Sequence, residues 1–240
     1  DNQNNIYISD SSMASWNGPS GQLPLNPYSG DSDIFVLKLA ANGKYLWHTF
    51  YGSPAYDSSK SIGAYNEHIY MFGNSLQSWN SPTGEMALNL FHGSSDMVVV
   101  ALESTGEYIW HTFYGSTDGD AGNGIAIDTT GALYLAGTST QTWNGPSGQL
   151  PLSAYRGLTD IVIFKLASTG SYQWHTFYGS STNRDTSRWI AVDNDGVVIS
   201  GESINTWVGQ SGESPLNNYS GGNDIAILKL THEGAYEWHT

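Results

Sequence analysis

The stretch Asp160–Ser180, DIVIFKLASTGSYQWHTFYGS, holds two strand-like runs joined by a polar turn at Gly170, and it decides the fold because the chain repeats it. Earlier copies are DIFVLKLAANGKYLWHTFYGS from Asp33 and DMVVVALESTGEYIWHTFYGS from Asp96; the last, DIAILKLTHEGAYEWHT, runs from Asp224 to Thr240. The first run of each copy is apolar on successive residues, as a strand covered on both faces must be, and no segment carries the i, i+3, i+4, i+7 apolar stripe of a helix.

Working outward, Trp-His-Thr recurs at Trp47, Trp110, Trp174 and Trp238, spaced by 63, 64 and 64 residues. Trp16, Trp79, Trp143 and Trp207 keep the same spacings, so only Trp189 of the nine tryptophans lies outside the two series. Asp33, Asp96, Asp160 and Asp224 open the apolar runs, and Gly43, Gly106, Gly170 and Gly234 mark the turns that follow. In the third copy the pattern predicts four strands: roughly Gly124–Ile127, Leu133–Gly137, Asp160–Leu166 and Tyr172–Tyr178. Four-stranded antiparallel units in series, each covering the next, predict an all-β fold, a β-propeller of four ~64-residue repeats. The expected divisions are 1–49 as an incomplete first blade, then 50–112, 113–176 and 177–240. This phase predicts about fifteen strands, and it favours four units taken from a larger propeller over a short closed ring or two chains pairing through open edges.

The order GIAIDTTGALYLAGTS, then GLTDIVIFKLASTGSYQWHTFYGS, resembles the bacterial SBBP-type β-propeller repeat over the whole chain. The second copy departs from it at Ala64-Tyr65 and at Ala101, where other copies have Lys38, Lys165 and Lys229. The resemblance implies a propeller on secreted or cell-surface bacterial proteins and supplies no catalytic residues.

Composition narrows the partners. Eight Lys and Arg against 22 Asp and Glu give a net charge of −14 with no basic cluster, which disfavours nucleic acid. The absence of cysteine removes disulfides and zinc–thiolate sites. The longest apolar run, Met97–Leu102, is far shorter than the ~20 residues of a membrane helix, so no membrane insertion is expected.

Several repeated side chains are candidates for chemistry. Between the second and third strands lies a loop of about twenty residues, such as SWNGPSGQLPLNPYSGDSD ending at Asp33. Its tryptophans, Trp16, Trp79, Trp143 and Trp207, are either sugar-stacking platforms or plugs pinning the loop, and their presence in every copy favours the plug. Trp47, Trp110, Trp174 and Trp238 are similar to the tryptophan-docking motifs of quinoprotein propellers and are read as packing between adjacent units. The adjoining His48, His111, His175 and His239 are expected to hydrogen-bond on their strands, not to ring a metal. Asp33, Asp96, Asp160 and Asp224, with Asp57, Asp120 and Asp185, are expected to accept backbone N–H groups and fix turns. Calcium is the alternative, with Asp118, Asp120, Asp193 and Asp195 as weak candidate ligands, but no complete Asp-x-Asp-x-Asp-Gly loop is present. Lys38, Lys165 and Lys229 are expected to reach a carboxylate from a buried strand. His68, His92, Arg156, Arg184, Arg188 and His232 break the repeat without forming a motif. The functional expectation is a non-enzymatic scaffold or interaction module at a cell surface, without a cofactor. A multivalent lectin-like propeller is the alternative, and a quinoprotein- or lyase-type enzyme the third reading.

Overall fold

The computed structural model describes all 240 residues as fifteen strands without a helix, arranged in four antiparallel sheets. The chain divides into two compact units, Asp1–Tyr114 and Gly115–Thr240. In the first unit β1 (Ile6–Ser12), β2 (Asp33–Leu39) and β3 (Tyr45–Tyr51) form a three-stranded sheet. Its second sheet is β4 (Asp57–Tyr65), β5 (His68–Ser75), β6 (Asp96–Glu103) and β7 (Tyr108–Tyr114). The second unit pairs β8 (Asp120–Ile127), β9 (Leu133–Ser139), β10 (Asp160–Leu166) and β11 (Tyr172–Tyr178) in one sheet. β12 (Asp185–Asp193), β13 (Gly196–Ser203), β14 (Asp224–Leu230) and β15 (Tyr236–His239) make the other.

Each sheet is a meander of consecutive strands, so local hairpins carry the topology. The divergent second copy closes its first hairpin with Asn66 and Glu67, both at positive φ (45° and 66°), as a two-residue turn matched to strand twist requires. Sheets begin at Asp57, Asp120 and Asp185, several residues beyond the repeat divisions at 50, 113 and 177, because Phe-Tyr-Gly-Ser completes the outer strand before the chain crosses. β8 starts at Asp120, earlier than its sequence suggests: Ala121-Gly-Asn-Gly is a poor strand former alone, and pairing with β9 sets its conformation. A bulge interrupts β4, β8 and β12 at the same place, leaving Lys60, Asn123 and Arg188 outside the ladder.

The two sheets of each unit pack face to face. In the first unit Ile34, Val36, Ile69, Met71, Val98, Val100 and Phe113 form the buried core. Ile161, Ile163, Val197, Ile199, Leu228 and Leu230 do so in the second, with Tyr134 and Tyr178. β4 lies against β1 and β2, tied by the Ser9 and Ser59 hydroxyls at 2.7 Å. β12 lies against β8 and β9, where the Asn123 amide donates to Ser187 O at 3.0 Å and the Ser187 hydroxyl donates to Gly137 O at 2.9 Å.

Candidate functional site

The two tryptophan series of the sequence meet in one device built four times. The indoles of Trp16, Trp79, Trp143 and Trp207 stack on His48, His111, His175 and His239, with centroids 3.9, 3.9, 4.1 and 3.7 Å apart and rings within 15° of parallel. Each histidine Nε2 lies 2.8 to 3.1 Å from the backbone oxygen of the tryptophan it stacks on. A carbonyl oxygen only accepts, so Nε2 carries the hydrogen; Nδ1 is then the acceptor for the hydroxyl of Tyr45, Tyr108, Tyr172 or Tyr236, at 2.6 to 2.7 Å. The neutral ring thus clamps the long loop to the outer strand. Burial pushes the pKa of His111 and His175 down to about 4 and lowers those of His48 and His239, since a charged ring would lose its solvation.

A phenylalanine completes the cluster in three copies. Phe50 meets Trp16, His48 and Tyr28 edge-on at 5.7, 5.7 and 5.8 Å. Phe113 does so with Trp79, His111 and Phe91 at 6.0, 5.4 and 5.7 Å. Phe177 repeats the arrangement with Trp143, His175 and Tyr155 at 5.8, 5.5 and 5.7 Å. Trp79, Trp143 and Trp207 are buried and Trp16 is half-buried, so one face of every loop indole is committed to a histidine.

Two members of the other series, Trp47 and Trp174, tie one copy to the next within a unit, whereas Trp110 packs against Tyr70 of its own sheet, with ring centroids 6.0 Å apart. Trp47 Nε1 and Lys38 Nζ both donate to Ser104 O, at 3.3 and 2.8 Å; Trp174 Nε1 and Lys165 Nζ both donate to His232 O, at 3.3 and 3.1 Å. The two ammonium groups sit over the rings of Tyr7 and Tyr134, at 5.0 and 4.8 Å. A backbone carbonyl, not the expected carboxylate, is therefore the main partner of Lys38 and Lys165, although Asp1 lies 3.8 Å from Lys38. Lys229 does reach a carboxylate, Asp193, at 3.9 Å. The turn glycine of the following copy approaches the indole: a Cβ on Gly106 would sit 2.5 Å from Leu25 Cδ1 and 3.3 Å from the Trp47 ring.

The aspartates form two hydrogen-bonded series. Asp57, Asp120 and Asp185 accept the N–H and hydroxyl of Ser53, Ser116 and Ser180 on one oxygen and the hydroxyl of Ser75, Ser139 or Ser203 on the other. Asp33, Asp96, Asp160 and Asp224 accept the N–H of Ser29, His92, Arg156 and Ser220, at 2.6 to 2.7 Å. Asp33 and Asp57 flank Gly52, and Asp160 and Asp185 flank Gly179, each presenting an oxygen 2.6 to 3.0 Å from where a glycine Cβ would stand. Burial, reinforced by the neighbouring carboxylate, raises Asp57 and Asp160 to about 6 against the pull of their hydrogen bonds.

Asp118 and Asp120 do not gather with Asp193 and Asp195. Asp118 accepts from the Gln141 amide at 2.7 Å, Asp193 accepts the Asp195 N–H at 2.8 Å, and no cluster of three or more His, Asp or Glu side chains is present. The residues that break the repeat are also dispersed in structural roles. Arg156 donates to the carbonyls of Val208 and Gly209 at 3.0 and 3.3 Å, Arg188 pairs with Glu202 at 3.1 Å, His68 lies 3.4 Å from Glu103, and His232 Nε2 lies 2.7 Å from Asp193 O. Arg184 lies in a parallel bridge with Thr159.

What composition did not single out is the exposed side of the long loops. Leu23, Met86 and Leu150 occupy the same loop position and are 74%, 70% and 75% exposed. The signal was present as Leu-Pro-Leu, Met-Ala-Leu and Leu-Pro-Leu in loops otherwise rich in Gly, Ser and Asn.

No family model matches the chain. It is similar to the regulatory protein FlaEY of Caulobacter vibrioides, 22% identical over 219 residues. That match takes in 88% of this chain and 22% of the relative, so the chain spans about a fifth of its length.

Proposed function

We propose that the chain is a run of SBBP-type β-propeller blades acting as a non-catalytic scaffold at a bacterial cell surface, contacting protein partners through its long loops. The observation that carries this reading is the repeated outward placement of Leu23, Met86 and Leu150 on loops whose bases are clamped by the tryptophan–histidine stack. Large apolar side chains held out on rigid supports give contact area at small cost in conformational entropy. The histidines and strand-opening aspartates repeated in every copy are meanwhile spent on internal hydrogen bonds, whereas a catalytic centre needs unlike groups converging on one point. The relative's name, a regulatory protein, describes a role that a non-catalytic binder can fill. A glycan-binding role draws less support, because the indoles that would stack on sugars already stack on histidines.

The test is capture of envelope proteins from the source bacterium on the immobilised chain, identified by mass spectrometry, with L23S/M86S/L150S as comparison. A defined protein retained by the natural chain, lost with the variant and indifferent to added polysaccharide supports the proposal. Equal retention by both chains overturns it, and release by sugar transfers the function to glycan binding.

A further inference from the structure

In the first unit the long loops of the first two repeats leave a groove of about 530 Å³, with Leu25, Tyr51, Pro82, Glu107 and Tyr108 among its walls. Both repeats that build it lie inside the unit, and the second unit sets its own two loops in the same order, so the pairs can be compared residue by residue. In the second unit two side chains cross from loop to loop. Arg156 donates to the carbonyls of Val208 and Gly209 at 3.0 and 3.3 Å, and the Gln210 amide donates to Leu152 O at 2.8 Å. The first unit has Ser29 and Pro82 at those two positions. Proline has no side-chain donor, and the short Ser29 hydroxyl is spent locally on the Asp33 carboxylate at 3.0 Å and on Gly52 O at 3.2 Å. The carbonyls of Leu25, Asn80 and Ser81 therefore hold the positions at which the second unit receives three donors, and neither crossing side chain is there to meet them. Ser81 O already accepts the Gly84 N–H, as Gly209 O accepts that of Gly212, and in both a second lone pair is left for a guanidinium. Charge is matched in one unit and not in the other. Arg156 and Glu213 act on the Tyr178 hydroxyl with opposite sign. Glu85, the counterpart of Glu213, acts on Tyr108, and the hydroxyls of Ser81 and Thr83 hold its carboxyl below the ordinary pKa, so it stays ionised. Neither Glu85 nor Glu107 has a cation within ion-pair distance, and all three arginines of the chain lie in the second unit.

We propose that this groove receives the side chain of an arginine on a partner polypeptide, whose guanidinium takes the role that Arg156 fills in the second unit: it donates to the Asn80 and Ser81 carbonyls beside Glu85, and its aliphatic stem covers Leu25 and Pro82. A planar fork of donors suits two successive carbonyls, which a lysine ammonium meets only as a point charge. Leu25 is 56% exposed in the free chain and gains cover from the stem. The inference deepens the surface role proposed above and rests on its reading of the long loops as the contact surface, but it draws on the groove between them and not on Leu23, Met86 and Leu150.

The experiment titrates the isotope-labelled 240-residue chain with N-acetyl-arginine methylamide and follows its backbone amide resonances by NMR. The expected result is saturable one-to-one binding, with shifts confined to the groove around Leu25, Thr83, Gly106 and Tyr108. The citrulline analogue, of the same shape without the charge, binds about tenfold more weakly, as loss of charge assistance in two hydrogen bonds implies. The lysine analogue is also weaker. S29R/P82Q copies the bridge of the second unit into the first and abolishes the shifts without lowering the melting temperature, because the second unit accommodates both side chains at these positions. R156S/Q210P does the reverse and adds a second site, reported by the corresponding amides of the second unit; if that variant does not fold, S29R/P82Q carries the test alone. Absence of saturable shifts, binding of the citrulline or lysine analogue as tight as that of arginine, or indifference to S29R/P82Q overturns the proposal. Envelope capture with L23S/M86S/L150S reads the loop side chains and this titration reads the groove, so each can fail without the other.

Discussion

The third and fourth repeats share one compact unit and nearly the same motifs, yet the same residues behave differently in them. Asp160 is buried and its pKa is pushed up to about 6, whereas Asp224 is half-exposed and held below the usual carboxylate range by the Ser220 N–H. Burial drives His175 down to about 4 and also lowers His239. Both aspartates accept the N–H of a residue four positions earlier; Asp224 also accepts the Ser220 hydroxyl at 3.0 Å, but burial is the leading cause of the rise at Asp160. The difference lies in Phe177-Tyr178-Gly179-Ser180, which covers the third copy and crosses to the neighbouring sheet. Position within the motif sets the hydrogen bonds; the segment packed over the motif sets the dielectric, and the dielectric decides the sign of the shift.

The comparison breaks most sharply at Phe177. Phe177→Ala removes a fully buried ring from three aromatic contacts and is expected to cost about 3–5 kcal/mol in urea unfolding, because the cavity cannot close against fixed strands. Truncating the stacked histidines comes next. His175→Ala leaves the Trp143 carbonyl and Tyr172 hydroxyl without their partner in a buried site, for a loss of about 2–4 kcal/mol. His239→Ala removes the same bonds beside an open groove, where water can replace them, and is expected to cost about half as much.

Acid titration sharpens the contrast further. His175, with its folded pKa depressed from 6.5 to about 4, contributes stability that is present above pH 6.5 and lost as the pH falls through 4, because the unfolded chain takes up a proton the folded ring refuses. Asp160, raised from 3.8 to about 6, acts oppositely: its contribution is present below pH 3.8 and lost as the pH rises through 6. The two nearly cancel between pH 6 and 4. Asp160→Asn therefore exposes the histidine term, and the urea midpoint of the variant should drop more steeply than that of the natural chain between pH 6.5 and 4. An equal slope would show that the carboxylate stays ionised in the fold. The smallest effect belongs to the open copy: Ile225→Ser should change stability by less than about 0.5 kcal/mol, where the equivalent Ile161→Ser should cost several times more.

Much of this was legible in the chain. Apolar runs beginning at Asp33, Asp96, Asp160 and Asp224 and the aromatic runs after each turn glycine are strands at the predicted places, since their pattern suits a sheet covered on both faces. The clamp was half legible. Each loop tryptophan lies 32 residues before its histidine, and a tyrosine lies three before it, yet spacing alone does not say that the two rings stack. Lys38 and Lys165 show the same limit: a cation on a buried strand implies a partner, but sequence favours a carboxylate, and the geometry supplies a carbonyl that also receives an indole N–H.

The sequence by itself determined the repeat, the all-β class, the turn positions and the polar side chains that satisfy local backbone, because these depend on residue order over a few positions and on a period that chance does not produce. Tertiary structure alone decided which indole faces are covered, where the bulges at Lys60, Asn123 and Arg188 fall, which aspartates lie beside a second carboxylate, and that three loop positions hold apolar side chains outward. Those properties depend on what a residue meets across a sheet or from a neighbouring copy, and contact between residues distant in the chain fixes burial, and through burial the charge state, of side chains that are identical on paper.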